Sequence, residues 1–374
     1  MLKFTLSCVA LAISLVADAT SLMAQEKPAP TPPAADRLAR PVFDADGTVH
    51  VPAFDLPPSM LISPEALAAQ KSRARMAGGA PPSNIPVDAM RKGLAAMLAP
   101  QVAMTQQYYP VDIAEQTIAG VPTRVITPKG KPFDRRHILI NVHGGGFSMC
   151  WESCSLLESI PISALGGYKV VSVNYRMGPE AKHPAAIEDT VAVYRELLKS
   201  YTPKQIGLFG CSAGGALTAE VAAWLPMHGM PQPAGIGIFG AGGVRFMLGD
   251  SATITAYTDG SFGPPPPRHP APGEKLQDMT RGYFDGADMA DSVISPALHP
   301  EVMAKFPPTL IITGTRAMDM SPAILTNSAL IKAKVPSTLI VGEGMGHCYI
   351  YQSNLPEARD AQQAIVDFFR ANLK

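Results

Sequence analysis

The chain has no surplus of charge: 31 Lys and Arg stand against 31 Asp and Glu, and the net charge at neutral pH is zero. Proteins that hold nucleic acid or an anionic membrane surface carry a basic footprint, so those partners are excluded as a main role. Charged residues make up only 17% of the chain, below the roughly 25% of an average globular domain, which points to a fairly apolar surface. The N-terminal apolar run, Phe4 to Ala17, is about 14 residues, short of the roughly 20 that span a bilayer, so no stable membrane anchor is expected. The sequence holds no Cys-x-x-Cys pair and no histidine spacing of a zinc site, so neither metal nor cofactor is expected. Aromatics are sparse at 7%, and no internal repeat divides the chain into modules.

What is present begins with a targeting signal. Lys3, the apolar run and the small residues ending at Ala19 or Ala24 read as a signal peptide over 1–24, which implies a secreted or periplasmic protein. An N-terminal anchor is the less favoured alternative. Residues 25–58 form a Pro- and Ala-rich leader, and 59–374 form one folded domain. With 374 residues and 47% hydrophobic content, a large buried core is assured. Cys8 lies in the signal, which leaves Cys150, Cys154, Cys211 and Cys348. An even number in an oxidising compartment is compatible with disulfides, Cys150 with Cys154 and Cys211 with Cys348. The preferred reading is four small buried residues with no covalent role.

From about residue 109 the pattern alternates. Val111 to Gln116 and Thr123 to Thr127 predict a hairpin. Short β-branched runs at Ile138–Val142, Val170–Asn174, 206–209, Gly235–Phe239, Thr309–Thr313 and Ser337–Val341 are separated by helical stretches at 185–200, 216–225, 322–333 and 357–372. That alternation gives an α/β fold, a mostly parallel central sheet with helices on both faces. Two segments fall outside the rhythm: helices at about 59–105, and an irregular stretch at about 244–300 containing Gly263-Pro264-Pro265-Pro266-Pro267, which can be neither helix nor central strand. Both are candidates for a cap over a pocket.

Chemistry enters with Gly210-Cys211-Ser212-Ala213-Gly214, directly after the strand 206–209. Gly-x-Ser-x-Gly between strand and helix is what a nucleophile elbow requires, because the turn is tight and only small neighbours allow a close approach. Upstream, His143-Gly144-Gly145-Gly146-Phe147 follows another strand, and consecutive glycines there can aim backbone N–H groups at one point, as an oxyanion hole needs. Ser212 is therefore the candidate nucleophile. His347, in Gly344-Met345-Gly346-His347-Cys348 after the last strand, is the candidate base in the chain order Ser…acid…His. His143 is read as shaping its loop, and Glu188 and Asp189 as structural carboxylates opening a helix.

In order along the chain stand His143-Gly144-Gly145-Gly146, Asn174-Tyr175-Arg176-Met177-Gly178-Pro179-Glu180, Pro184-Ala185-Ala186-Ile187-Glu188-Asp189 and Ser212-Ala213-Gly214-Gly215. With these blocks the chain resembles the hormone-sensitive-lipase-like family of α/β-hydrolase carboxylesterases, from about residue 109 to its end. The resemblance implies the α/β-hydrolase fold, a cap made of the N-terminal helices and the 244–300 insertion, and an oxyanion hole from the N–H groups of Gly145, Gly146 and Ala213. Cys211 departs from it, since the family usually has Asp before the nucleophile. The acid departs further. Where the family reads Gly-Thr-Arg-Asp, this chain reads Gly314-Thr315-Arg316-Ala317-Met318-Asp319-Met320. Either Asp319 takes over the acid's role through a changed loop, which is the expectation, or the triad is incomplete.

The expected function is a serine carboxylesterase that hydrolyses small short-chain acyl esters through an acyl-enzyme, with a small-molecule ester as its partner. Hydrolysis of a lactone or amide with the same machinery is the alternative, as is a binding protein with a degraded triad. The sequence leaves the oligomeric state open.

Overall fold

The structure is a computed structural model that describes residues 40–52, 54–76, 85–244, 248–255, 258 and 278–374. The expected signal peptide, residues 25–39 of the leader, Gly78–Pro82 and the Gly263–Pro267 tract lie outside the described residues. The chain divides into two units, Met1–Pro57 and Pro58–Lys374. In the first, Val42–Phe43 pairs antiparallel with Val49–His50. The second unit holds the large sheet and its helices.

Its framework is an eight-stranded sheet. The strands are β1 Val111–Ile118, β2 Val121–Pro128, β3 Asp134–Val142, β4 Tyr168–Val173, β5 Ile206–Cys211, β6 Gly235–Phe239, β7 Thr309–Gly314 and β8 Ser337–Gly342. Their order across the sheet is β8-β7-β6-β5-β3-β4-β2-β1. All neighbours from β8 to β4 are parallel, while β2 pairs antiparallel with both β4 and β1. The β1–β2 hairpin closes through Ala119 and Gly120, both at positive φ, as a two-residue hairpin loop demands.

The helices are α1 Pro64–Met76, α2 Val87–Tyr108, α3 Trp151–Gly166, α4 Ala185–Leu197, α5 Ala213–Met227, α6 Met320–Lys332 and α7 Pro356–Asn372. Successive strand residues point to opposite faces, and two cores result. Ile138, Ile140, Leu208, Ile236, Ile238 and Ile311 pack with α4, α5 and α6 on one side. Leu139, Phe209, Phe239, Leu310 and Ile312 pack with α3 and α7 on the other. The mostly parallel sheet flanked on both faces is the architecture the alternation predicts.

Helix α3 was not foreseen. It is buried on nearly every side, from Ser153 through Ser163, and contains Pro161, so it carries no apolar stripe for periodicity to reveal. Helix α2 continues through Pro100 to Tyr108, a little past the expected limit near 105. The reading of four unlinked cysteines is corrected: Cys150 is bonded to Cys154 and Cys211 to Cys348. All four are buried as expected. The first pair sits one turn apart at the start of α3. The second joins the end of β5 to the loop after β8, a proximity that only the assembled sheet creates.

Candidate active site

The carboxyl ends of β3, β5, β7 and β8 converge, which is where an open parallel sheet places its ligands. The elbow follows β5. Gly210 and Gly214 face the carbonyl of Val142, and a Cβ on either would collide with it, so strand and helix meet this closely only because both are glycine. Between them Ser212 has φ 59° and ψ −124°, a conformation that costs a non-glycine residue about 1–3 kcal/mol. The surroundings hold it there. The Ser212 N–H donates to Phe239 O at 2.8 Å, and α5 begins at the next residue.

His347 Nε2 lies 2.9 Å from Ser212 Oγ, and His347 Nδ1 lies 2.6 Å from Asp319 Oδ1. The hydroxyl thus donates to Nε2 and Nδ1–H donates to the carboxylate. The second carboxylate oxygen, Oδ2, accepts from Thr313 Oγ1 at 2.6 Å. Asp319 is fully buried, and His347 is 11% exposed at the side chain. All three residues read from the sequence are brought together, Asp319 included, while Ala317 is buried and takes no part in this chain of bonds.

The two-residue displacement of the acid is resolved by local turns. Ala317 N–H donates to Gly314 O and Met320 N–H to Ala317 O, so the segment after β7 folds back and does not run on as a strand. The base loop is laced to it: Arg316 N–H donates to Met345 O, Thr315 N–H to Gly342 O, and Gly344 N–H to Thr315 Oγ1. Asp319 then stands just before α6, whose first turn fixes its position.

Gly145 and Gly146 have φ 117° and 62°. A Cβ at Gly145 would strike the Met149 carbonyl, so this turn requires glycine. Among the described residues, no acceptor pairs with the N–H groups of Gly145, Gly146 or Ala213. Ala213 is the first residue of α5, whose leading N–H groups are free by construction. The loop is held from behind. His143 Nδ1–H donates to Gly144 O at 2.7 Å, and its ring stacks on Tyr175 at 4.4 Å. Burial depresses His143 to about 4, which keeps it neutral and suits a role in shaping the loop. Glu188 and Asp189 are structural as expected, though by pairing with Arg176.

Both candidate cap segments border this loop. From α2, Arg91 binds Glu180, Gly178 O and Ser148 O, and Gln101 donates to Tyr351 O. In the described end of the insertion, Met279 O accepts from Ser148 Oγ, and Phe147 stacks on Tyr283 at 4.9 Å. Sequence reasoning missed Glu158, Tyr351 and Thr313. The signal for Glu158 was present: a lone carboxylate in the otherwise uncharged stretch Ser153–Ala164. Among the described residues no cluster of His, Cys, Asp and Glu could hold a metal, and no helix is long and apolar enough to cross a membrane.

Comparison with known proteins agrees with this architecture. A family model described as the alpha/beta hydrolase fold matches residues 139–351. An acetyl-hydrolase of Streptomyces hygroscopicus is 29% identical over 62% of this chain and 75% of its own length. An arylacetamide deacetylase of Oryctolagus cuniculus is 36% identical over a shorter stretch, 30% of each chain. The crystal structure of an esterase from the bacterial hormone-sensitive lipase family superposes with a TM-score of 0.71 at 24% identity, covering 84% of this chain and all of the other, a similarity of fold.

Proposed function

The chain belongs to the α/β-hydrolase family, and from that premise we propose that it is a carboxylesterase of the hormone-sensitive-lipase-like kind that hydrolyses small, short-chain acyl esters through Ser212. The observation that carries the reading is the unbroken line of hydrogen bonds Ser212–His347–Asp319 beside three N–H groups with no acceptor among the described residues. In the reaction, Ser212 Oγ attacks the acyl carbon while His347 Nε2 takes its proton. The oxygen that becomes negative is held by the N–H groups of Gly145, Gly146 and Ala213, a fixed arrangement in which losing one donor typically costs on the order of 3 kcal/mol. His347 returns the proton to the leaving alkoxide, and an acyl-Ser212 remains. Water, deprotonated by His347, then releases the acid. Asp319 holds the imidazole in the Nδ1–H tautomer and stabilises its protonated form.

A short acyl group is supported by the acetyl-hydrolase among its relatives. The similarity to an arylacetamide deacetylase favours an acetyl amide as a second substrate class. The alternative of a binding protein rested on Ala317, and Asp319 beside His347 removes its ground. Location outside the cytoplasm is proposed on the N-terminal signal pattern, and two disulfides support an oxidising compartment. Hydrolysis of p-nitrophenyl esters of increasing acyl length tests the reading. Rates are expected to peak at acetyl to butyryl, and a steady rise toward long chains at a lipid interface would replace it with a lipase.

A further inference from the structure

Glu158, on α3, belongs to neither the triad nor the glycine loop, yet it is bonded to both sides of the site. Its Oε1 accepts from the Gly144 N–H at 2.8 Å and from Tyr351 Oη at 2.6 Å. Its Oε2 accepts from Asn141 Nδ2 at 2.8 Å and from the Cys211 N–H at 3.1 Å. The side chain is 3% exposed. Burying a carboxylate is costly, and here burial pushes Glu158 up to about 7 against four donors that favour its ionised form. An apolar side chain would fill the same space without that cost, so packing alone does not account for it.

Three of the four donors share a position beside the reacting groups. Gly144 immediately precedes the glycines whose N–H groups face the site. Cys211 immediately precedes Ser212. Tyr351 lies four residues after His347, and its hydroxyl stands where a Cβ on Gly144 would come within 2.6 Å. Two backbone segments from different strands therefore end on one carboxylate, each a single residue from a reacting group.

We propose that Glu158 is a positioning residue for the hydrolysis: its carboxylate sets the separation between the oxyanion-loop N–H groups and Ser212, and through Tyr351 ties the His347 loop to the same point. The inference rests on the ester-hydrolase reading above. Oxyanion stabilisation depends on donors held at fixed distance from the oxygen where charge develops, so a shift of a few tenths of an ångström in either segment is felt in rate more than in binding.

The test uses Glu158→Gln and Tyr351→Phe in the full mature chain. An amide offers one acceptor oxygen, so it leaves one of the two donor pairs facing N–H groups. Two reagents are compared: p-nitrophenyl acetate, and a p-nitrophenyl phosphonate. On the phosphonate, Ser212 Oγ forms a bond to phosphorus, p-nitrophenolate leaves, and the hydroxyl proton passes to His347, once per molecule. For Glu158→Gln the p-nitrophenolate released at end point should match the wild type, which shows every molecule folded and reactive. The phosphonylation rate and kcat should both fall by about tenfold or more, with KM changed by less than about threefold. Tyr351→Phe should show a smaller loss that adds nothing in the double variant, as expected for one coupled unit. Unchanged kcat per titrated serine, or a loss seen only in the end point and melting temperature, would overturn the proposal. If Glu158→Gln does not fold, Tyr351→Phe decides, since it removes one donor and no volume in the backbone; unchanged kcat there overturns it as well. A wild-type protein that reacts with the phosphonate but does not turn over esters contradicts the esterase reading instead, and the phosphonylation rates of the variants still decide the role of Glu158.

Discussion

At the scale of single residues, the acid is the most exposed part of the account. Asp319 reaches His347 because two successive turns replace extended backbone after β7, bringing a residue two positions late to the same place. Asp319→Asn preserves the shape but lets the imidazole adopt the wrong tautomer, so kcat should fall by at least about a hundredfold. Ala317→Asp should change kcat far less, because Asp319 already holds His347 Nδ1. Steady-state kinetics on p-nitrophenyl acetate check both; a nearly silent Asp319→Asn together with an activating Ala317→Asp would mean the native triad lacks its acid.

Glu220, on α5, poses a different residue-level question. It is 2% exposed, its Oε2 has no hydrogen-bond partner among the described residues, and burial pushes it from 4.5 up to about 8. A carboxyl raised in the folded state keeps its proton there while the unfolded chain has lost it. Stability therefore declines as pH rises from about 4.5 through about 8, and levels off above that. Glu158 contributes with the same sign. Glu220→Gln should remove much of the decline, gaining on the order of a few kcal/mol at pH 9 and little at pH 4. Urea-denaturation midpoints at the two pH values measure it, and an equal effect at both would refute the assignment.

Among elements, the elbow and the two loops beside it behave as one assembly. Cys211–Cys348 links the residue before the nucleophile to the residue after the base, across 137 positions of sequence. Closing so long a loop restricts the unfolded chain strongly, so Cys211→Ala with Cys348→Ala should lower stability by roughly 2–5 kcal/mol. Turnover should also drop, since β5 and the His347 loop lose their covalent tie. Cys150–Cys154 closes only one helical turn, and its removal should cost far less stability. Chemical denaturation of the two double variants separates them; equal losses would contradict the argument. What could be read from the sequence at this scale follows the same physics. Strands β3 to β8 were legible because the parallel strands are short apolar runs set between helical stretches, and Ser212 and His347 because the elbow and the last loop carry local patterns. Helix α3 lacks periodicity because it is buried all round. Cys211 and Cys348 meet only across the assembled sheet, and Glu158 shows in the sequence as a lone carboxylate whose partners no local pattern names.

For the whole molecule, the claim is that a sheet of this topology presents one nucleophile, one base and one acid at its carboxyl edge to hydrolyse an ester in two steps. Acid quenching of the enzyme during turnover of p-nitrophenyl acetate, followed by peptide mass spectrometry, tests it most directly. The account predicts an acetyl group on the peptide bearing Ser212, a burst of p-nitrophenolate matching it, and loss of both in Ser212→Ala. Turnover that survives in Ser212→Ala, or an acetyl group carried on a different residue, would contradict it.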